Sequence, residues 1–446
     1  MAPEVSRRQF VKLGAGAGAA AFLAACGINR GSDATISSTS TPGVAPSSVG
    51  GTTKELSLWI VDHNPAAQAV LEEQVIPAFQ DANPGYRVNL RLTGWERFAE
   101  EVTTAFTGGV GPDIYQGGAV WVGQQVDRGW ALPLSSYVDQ APSEWGWGDF
   151  VAGAQEDVTV DGEIYAIPYR VAPRTLWYRS DHLEEEGLTA PSSFEELREV
   201  ANATVRRDGG QITRQGFDTN LGGGPDWQAE MQTYWDFMHP AGGRFLSDDL
   251  SRCTLDEEPA VDALEFLTNL VLEDQVMPYP SFENQGELSA LELGLATMGM
   301  SVEIPDIRAR QYAPEQVEFI HAALPLTREV QAAHLYVNKY FIGSQTQDPE
   351  GSWLLLQHLT APDSLEAYSA AAGYLTPRSS LAEAEYLSDN LKTVARAGEY
   401  GVPYPRHPNL LELFRPFSEN LDRCFRGQLT PIETMQETVN AVNALL

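Results

Sequence analysis

The sequence predicts an α/β protein with two lobes that are joined at a hinge. Its 446 residues exceed what one hydrophobic core usually holds, and 43% of them are hydrophobic, enough for two packed cores. Strand-like and helix-like segments alternate over 56–128, which is typical of a mainly parallel sheet with helices on both faces. An extended run over 158–179 is interrupted by Pro168 and Pro173. We expect this run to leave one sheet and enter a second.

The run over 158–179 begins as a β-hairpin. Val158 and Val160 alternate with Thr159, and Asp161-Gly162 follows them. This dipeptide favours a two-residue type I′ turn, because both positions then need a positive φ angle. We expect Pro168 to end the second strand, since proline removes a donor from the ladder. A new buried strand is predicted over 175–178.

The remaining segments are read from hydrophobic periodicity and from helix start and stop signals. The predicted elements before the hairpin are strands over 56–61, 88–92 and 112–115 and helices over 67–83, 95–106 and 119–128. Those after it are helices over 194–207, 259–274, 349–359 and 362–372, strands over 296–304, 317–324 and 334–342, and a terminal helix from a Thr430–Glu433 capping box to Leu446. In parallel α/β sheets, ligands bind beyond the C-terminal strand ends. Those ends lie here at 62–64 and 116–118.

The net charge and the absence of known catalytic motifs limit the classes of function that fit this chain. The net charge is −32, so the phosphates of nucleic acid would repel this surface. The chain has no GxSxG, HExxH, Walker A or SxxK motif and no CxxC pair, so we expect neither a metal nor a cofactor. A binding protein is therefore favoured. A secreted carbohydrate-active enzyme with two carboxylates stays open, as does a structural or adhesive lipoprotein without a small ligand.

The first residues are typical of an export signal. Ser6-Arg7-Arg8-Gln9-Phe10-Val11-Lys12 is a twin-arginine pattern, an apolar run covers 13–23, and Leu23-Ala24-Ala25-Cys26-Gly27 resembles a lipobox. This order implies a signal peptide over 1–25 and a lipid on Cys26. Residues 26–54 are mostly Ser, Thr, Gly, Ala and Pro, which predicts a flexible tether with a reach of roughly 30 Å. We therefore expect an exported protein that is anchored to the outer face of the cell membrane.

The body resembles the family-1 extracellular solute-binding proteins of ABC importers, the group that includes maltose-binding protein. The resemblance covers about 55–446 and rests on short motifs in order. They are Leu58-Trp59, Ile76-Pro77-Ala78-Phe79, Asn83-Pro84-Gly85, Gly111-Pro112-Asp113-Ile114-Tyr115, Gly129-Trp130-Ala131-Leu132-Pro133-Leu134, Asp161-Gly162-Glu163-Ile164-Tyr165-Ala166-Ile167-Pro168, Trp177-Tyr178-Arg179-Ser180-Asp181 and Gly242-Gly243-Arg244-Phe245. The resemblance implies a periplasmic-binding-protein-like fold, in which each lobe is a mainly parallel sheet flanked by helices.

The same resemblance implies a hinge with several chain crossings, expected near 168–170, near Pro305 and near 359–362. Lobe 1 would comprise 55–168 plus 306–360, and lobe 2 would comprise 169–305 plus 361–446. It further implies a monomer that captures a mono- or oligosaccharide in the cleft and delivers it to the membrane subunits of an ABC importer. Arg170, Arg174 and Arg378 near the cleft keep an alternative open, which is a glycerophosphate-type or acidic-sugar ligand.

Candidate ligand-binding residues are aromatic side chains for the apolar faces of sugar rings and polar side chains for hydroxyls. The candidates are Asp62, His63, Gln116 and Trp121 after strands of the first lobe, Tyr169 and Arg170 in the hinge, and Asp218, Trp227, Glu303, Tyr374, Arg378 and Phe414 in the second. Tyr374, Arg378 and Phe414 are chosen by the resemblance. Glu303 stands where the family usually has tryptophan, which puts that stacking surface in doubt.

Two cysteines remain after the lipidated Cys26. Cys253 and Cys424 both fall in the second predicted lobe. Because an exported protein meets an oxidising compartment, a disulfide between them is an open alternative to two free thiols.

Overall fold

A computed structural model describes residues 53–61, 64–219, 221 and 227–446, with the backbone alone at Glu96 and Trp227. The predicted signal peptide, Cys26 and nearly all of the tether lie outside these ranges. Residues from Gly51 to Leu446 form one compact unit. Within the described ranges, no helix combines the length and the apolar character that crossing a membrane requires.

The strands form two main sheets and one small hairpin. In chain order they are β1 (Lys54–Val61), β2 (Tyr86–Thr93), β3 (Ile114–Gly117), β4 (Thr159–Val160), β5 (Glu163–Ile164), β6 (Ile167–Pro173), β7 (Thr175–Arg179), β8 (Arg206–Asp208), β9 (Gln211–Asp218), β10 (Ala296–Ser301), β11 (Ile320–Ala322), β12 (Ala333–Ile342) and β13 (Gly401–Val402). The first sheet has the order β13-β12-β3-β1-β2. β6 also belongs to it and pairs with β12 on the edge opposite β3. β1 runs parallel to β2 and β3, as the alternating pattern predicts, whereas β12 runs antiparallel to β3 and β6.

The second sheet has the order β11-β7-β10-β9-β8. Its described pairs are parallel only between β9 and β10, and the other three pairs are antiparallel. The prediction of a mainly parallel sheet in each lobe is therefore wrong for this sheet, which is mixed. Part of the reason is local: Gly209 and Gly210 both have positive φ angles, so β8 turns directly into β9 as a hairpin.

The chain passes from the first sheet to the second within the run over 158–179. Asp161 and Gly162 have φ angles of 51° and 82°, so the predicted turn is confirmed. Pro168 does not end the strand, contrary to our expectation. It lies inside β6 opposite Lys339, where the register shifts, and such an irregularity tolerates a residue without an N–H donor. The crossing occurs instead at Arg174, the one residue between β6 and β7.

The return to the first sheet also lies elsewhere than expected. Pro305 is near the start of a helix, and the next strand, β11, still pairs with β7 of the second sheet. The chain joins the first sheet only with β12. Residues 320–322 therefore belong to the second sheet, although the predicted lobe 1 included all of 306–360. The lobe boundaries otherwise stay a prediction.

Helices cover both main sheets. In chain order they are α1 (Pro65–Val70), α2 (Ile76–Ala82), α3 (Trp95–Thr107), α4 (Val122–Asp127), α5 (Ser135–Gln140), α6 (Ala152–Asp157), α7 (Ser180–Glu186), α8 (Phe194–Thr204), α9 (Trp227–Met238), α10 (Glu258–Leu272), α11 (Ile304–Tyr312), α12 (Pro349–Leu359), α13 (Pro362–Ala372), α14 (Asp389–Ala397), α15 (Leu410–Phe425) and α16 (Pro431–Asn443). The predicted helices over 349–359 and 362–372 are confirmed with their bounds. The capping box at α16 is confirmed as well.

The two remaining cysteines are free in the structure. Cys253 and Cys424 are both buried in the apolar core that packs against the second sheet. The Cys424 thiol lies 3.5 Å from the Thr268 hydroxyl, and burial raises the pKa of the Cys253 thiol to about 12. Of the two alternatives, the structure therefore shows two free thiols and no disulfide.

Candidate ligand-binding cleft

A cavity of about 430 Å³ lies between the two sheets. Its walls come from the residues after β2 and β3, from the hinge strand β6, from β12, and from the second-sheet side after β10 and on α9. The lining residues are Trp95, Gly118, Ala119, Val120, Trp121, Arg170, Ala172, Arg174, Gln228, Val302, Tyr336, Asn338 and Leu411. We call this space the cleft cavity. It lies beyond the carboxyl ends of strands, as expected for α/β sheets.

Two tryptophans form an aromatic wall of the cleft cavity. Trp121 stacks on the buried ring of Phe98, with the centroids 6.0 Å apart and the planes 25° from parallel. Trp95 packs edge-on against Trp121 at 6.3 Å and keeps 40% of its surface exposed. A rigid and partly exposed indole pair of this kind offers a flat apolar face to a ligand.

Arg170 carries one of the two positive charges on the cavity wall. Its guanidinium contacts Oε1 of Glu303 at 2.5 Å and lies 3.8 Å from the centre of the Tyr374 ring. The Glu303 side chain has no exposed surface. The pair connects β6 of the first sheet with the N-terminus of α11, which follows β10 of the second. The charge of Arg170 is therefore balanced within the wall.

Arg174 carries the other positive charge. Its Nε donates to both carboxylate oxygens of Asp236 on α9, at 2.9 and 2.8 Å. Burial raises the pKa of Asp236 to about 6, and the attraction of Arg174 opposes that rise. Because both carboxylate oxygens accept from the guanidinium, the charge of Arg174 is balanced within the wall like that of Arg170.

Uncharged polar groups complete the cleft cavity. Asn338 and Tyr336 lie two residues apart on β12 and so share one face of the strand. Gln228 comes from α9, and its Nε2 donates to the Tyr404 hydroxyl at 3.3 Å. Amide and phenol groups beside an aromatic wall can exchange hydrogen bonds with hydroxyl groups and need no net charge to do so.

Four of the predicted site residues meet at this cavity. Trp121 and Arg170 line it, and Glu303 and Tyr374 hold the Arg170 guanidinium in place. Glu303 and Tyr374 thus act on the cavity through Arg170.

Two further predicted residues, one in the hinge and one near the end of a strand, do not face the cavity. Tyr169 is 1% exposed and stacks on Tyr340 at 4.4 Å, because adjacent residues of a strand point to opposite faces and Arg170 takes the cavity face. Gln116 is buried, and its Oε1 accepts from the Val61 amide at 3.0 Å. It ties β3 to the end of β1 and does not line the cavity.

Three predicted residues from the second half of the chain lie away from the cleft cavity. Arg378 is buried, bonds the Thr360 carbonyl and Asp149, and lies over the Phe150 ring at 4.3 Å. Phe414 has no exposed surface and packs edge-on against Trp235 in the core. Asp218 is buried at the end of β9 opposite Gly299 and does not line the cavity.

The remaining candidates fall outside what the structure describes. Asp62 and His63 lie in the gap after β1. Trp227 is the first residue of α9, and its side chain is likewise not described. All three stay predictions.

Sequence reasoning missed several lining residues. Trp95 falls at the start of the predicted helix over 95–106, and in the first turn of α3 a side chain can project past the packed face. Tyr336 and Asn338 could have been found from the sequence, because they alternate with the apolar residues Leu335 and Val337 in the predicted strand. In the structure they are its two partly exposed residues. Gln228 follows a segment without a clear period and gave no signal.

Two lobes with a charge-balanced cavity between their sheets define a protein of the binding-protein class. Comparison with known proteins identifies the group: the model of the bacterial extracellular solute-binding proteins matches residues 62–366, more than half of the chain. The chain belongs to this family. Residues 4–24 match the signal sequence of the twin-arginine translocation pathway, so the predicted export signal is confirmed.

Individual relatives are distant in sequence but cover most of the chain. A binding protein of Brucella abortus is 22% identical over 326 residues, which are 72% of this chain and 76% of its own. The sugar-binding protein MalE of Xanthomonas citri has a TM-score of 0.76 at 20% identity, over 88% of this chain and 97% of its own. An ABC transporter solute-binding protein of Thermotoga lettingae, bound with α-D-tagatose, has a TM-score of 0.71 at 21% identity, over 88% and 99%. The two structures show the shared fold.

Proposed function

We propose that this exported binding protein captures a neutral carbohydrate, a sugar or a sugar alcohol, in the cleft cavity and delivers it to an ABC importer. The observation that carries the proposal is the charge balance of the cavity. Both lining arginines are paired with buried carboxylates, and a partly exposed indole, two side-chain amides and one phenol also line the cavity. The sugar-binding names of the structural relatives agree with this ligand class.

The two alternatives fit the cavity less well. An acidic sugar or a glycerophosphate would bring a negative charge of its own, and Arg170 and Arg174 already have buried counter-charges in Glu303 and Asp236. A glycosidase needs two carboxyl groups facing the substrate, and none of the lining residues in the described ranges is Asp or Glu. Binding without turnover is therefore the better proposal.

A thermal-shift screen tests the ligand class. We expect neutral sugars or sugar alcohols to raise the melting temperature in proportion to the logarithm of their concentration, because they bind only the folded state. Trp95→Ala is expected to weaken the affinity about tenfold, since ~1.4 kcal/mol of stacking and apolar contact is lost. Tyr312→Ala is the matched control, because Tyr312 is also exposed but does not line the cavity. Shifts with acidic ligands alone, or release of a hydrolysed product, would contradict the proposal.

We further propose that Cys26 carries a lipid that holds the protein at the outer face of the membrane. The support is the lipobox-like Leu23-Ala24-Ala25-Cys26-Gly27 at the end of the export signal and the polar stretch after it. In cells that export it, Cys26→Ser is expected to move the protein from the membrane fraction to the soluble exported fraction. Equal membrane association of both forms would rule the anchor out.

A further inference from the structure

A buried ion pair lies in the first sheet beside the cleft cavity. Lys339 is in β12, and its ammonium contacts the carboxylate of Asp157, the last residue of α6. The two side chains are 0% and 2% exposed. In β12, Lys339 pairs with Gly117 of β3 on one side and with Pro168 of β6 on the other.

The same ammonium also reaches the loop that forms a wall of the cavity. Lys339 Nζ donates to the carbonyl oxygen of Ala119 at 3.2 Å. Ala119 belongs to the segment 118–121, which follows β3 and lines the cavity with every one of its residues, including Trp121. The neighbouring side chain, Asn338, lines the cavity from the opposite face of β12. Lys339 therefore links β12, whose Asn338 lines the cavity, to the segment 118–121, which carries Trp121 of the aromatic wall.

Stability alone is a poor reason for this arrangement. Taking a lysine and an aspartate out of water is costly, and well-packed apolar residues in their place are often as stable or more so. Burial raises the pKa of Asp157 to about 6 and lowers that of Lys339, because removing either charge from water is unfavourable. Their mutual attraction opposes both changes. An apolar pair would keep the packing but could not donate to the Ala119 carbonyl. The hydrogen bond to the loop is the part that only the charged pair supplies.

We propose that Lys339, held by Asp157, is a positioning residue that fixes the 118–121 loop and with it the ligand-facing orientation of Trp121. The role in ligand binding rests on the proposed function. The role in holding the loop does not, and it is measured separately.

The test is the double variant Asp157→Leu/Lys339→Met, which replaces the ion pair by apolar residues of similar size. Amide hydrogen exchange followed by mass spectrometry reports on the peptide that contains 118–121. We expect exchange of that peptide to rise at least tenfold, while peptides of β1 and β2 and the melting temperature stay near those of the native protein. As the 118–121 loop loosens, the affinity for a neutral sugar that binds the native protein is expected to fall. Lys392→Met, at a partly exposed lysine of α14, is the matched control and should change neither quantity.

Two results would overturn the proposal. One is a folded double variant whose 118–121 peptide exchanges as slowly as in the native protein, which would leave the pair a purely structural role. The other needs no variant: fast exchange of 118–121 in the native protein means that Lys339 does not hold the loop. If the loop loosens in the variant while no neutral sugar binds the native protein, the positioning role stands and the proposed ligand class fails.

Discussion

At the scale of residues, the cleft cavity is governed by how its charges are paired. Arg170 lies in β6 of the first sheet, Glu303 follows β10 of the second, and the carboxylate has no exposed surface. A charge in such a place is tolerated only while its partner is present, since neither group has water to replace it. The pair is therefore expected to matter for folding as well as for the shape of the cavity.

We predict that Arg170→Ala lowers the free energy of unfolding by ~3–5 kcal/mol, because it leaves the buried Glu303 carboxylate without a counter-charge. Urea unfolding followed by tryptophan fluorescence measures the loss. The double variant Arg170→Met/Glu303→Leu is the control, and it should recover most of the stability because no charge is left unpaired. An unchanged stability of Arg170→Ala would contradict the view that Glu303 depends on Arg170 as its counter-charge.

The sequence predicted some of these residues well and others badly. Trp121 follows a predicted strand and Arg170 lies in the predicted hinge run, and both line the cleft cavity. Tyr169 does not share the cavity face with Arg170, because adjacent residues of a strand point to opposite faces. Arg378 is buried against Asp149 and the Thr360 carbonyl, and Asp149 is 229 residues away in sequence, which no local pattern reveals.

At the scale of elements, local signals were reliable where the sequence supplies caps and turns. The type I′ turn at Asp161-Gly162 and the capping box of α16 both formed as predicted. The second sheet was mispredicted because strand direction depends on which strands pair across the chain. The hairpin β8–β9 and the long helix α15 were not predicted at all.

The capping box offers a test of one element. Thr430→Ala is expected to lower the free energy of unfolding by about 1 kcal/mol, because the Glu433 amide loses the hydroxyl that accepts from it and Glu433 loses one of its donors. Thermal unfolding measures the change. Thr430→Ser keeps the hydroxyl and should stay close to the native protein. Equal losses in both variants would show that the threonine methyl group, and not the cap, stabilises this end of α16.

At the scale of the whole molecule, length and alternation were enough to predict two α/β lobes, and the family match confirms the class. The sequence located the first crossing only to within the run over 158–179, because a proline can lie inside a strand or a helix as well as at a change of sheet. Pro168 lies within β6 and Pro305 within α11, whereas the chain changes sheets at Arg174 and after Ala322. The net charge of −32 says little about the ligand, since the cavity itself is balanced.

The central claim is that the cleft cavity binds a neutral, hydroxyl-rich ligand. Calorimetric titration of the exported protein with matched pairs of ligands, a neutral sugar and its uronic acid or phosphate, at low and at high salt tests it most directly. We predict that the neutral member binds and that its affinity hardly changes with salt, because no net charge is neutralised in the cavity. Binding of only the acidic members, with an affinity that falls as salt rises, would contradict the claim.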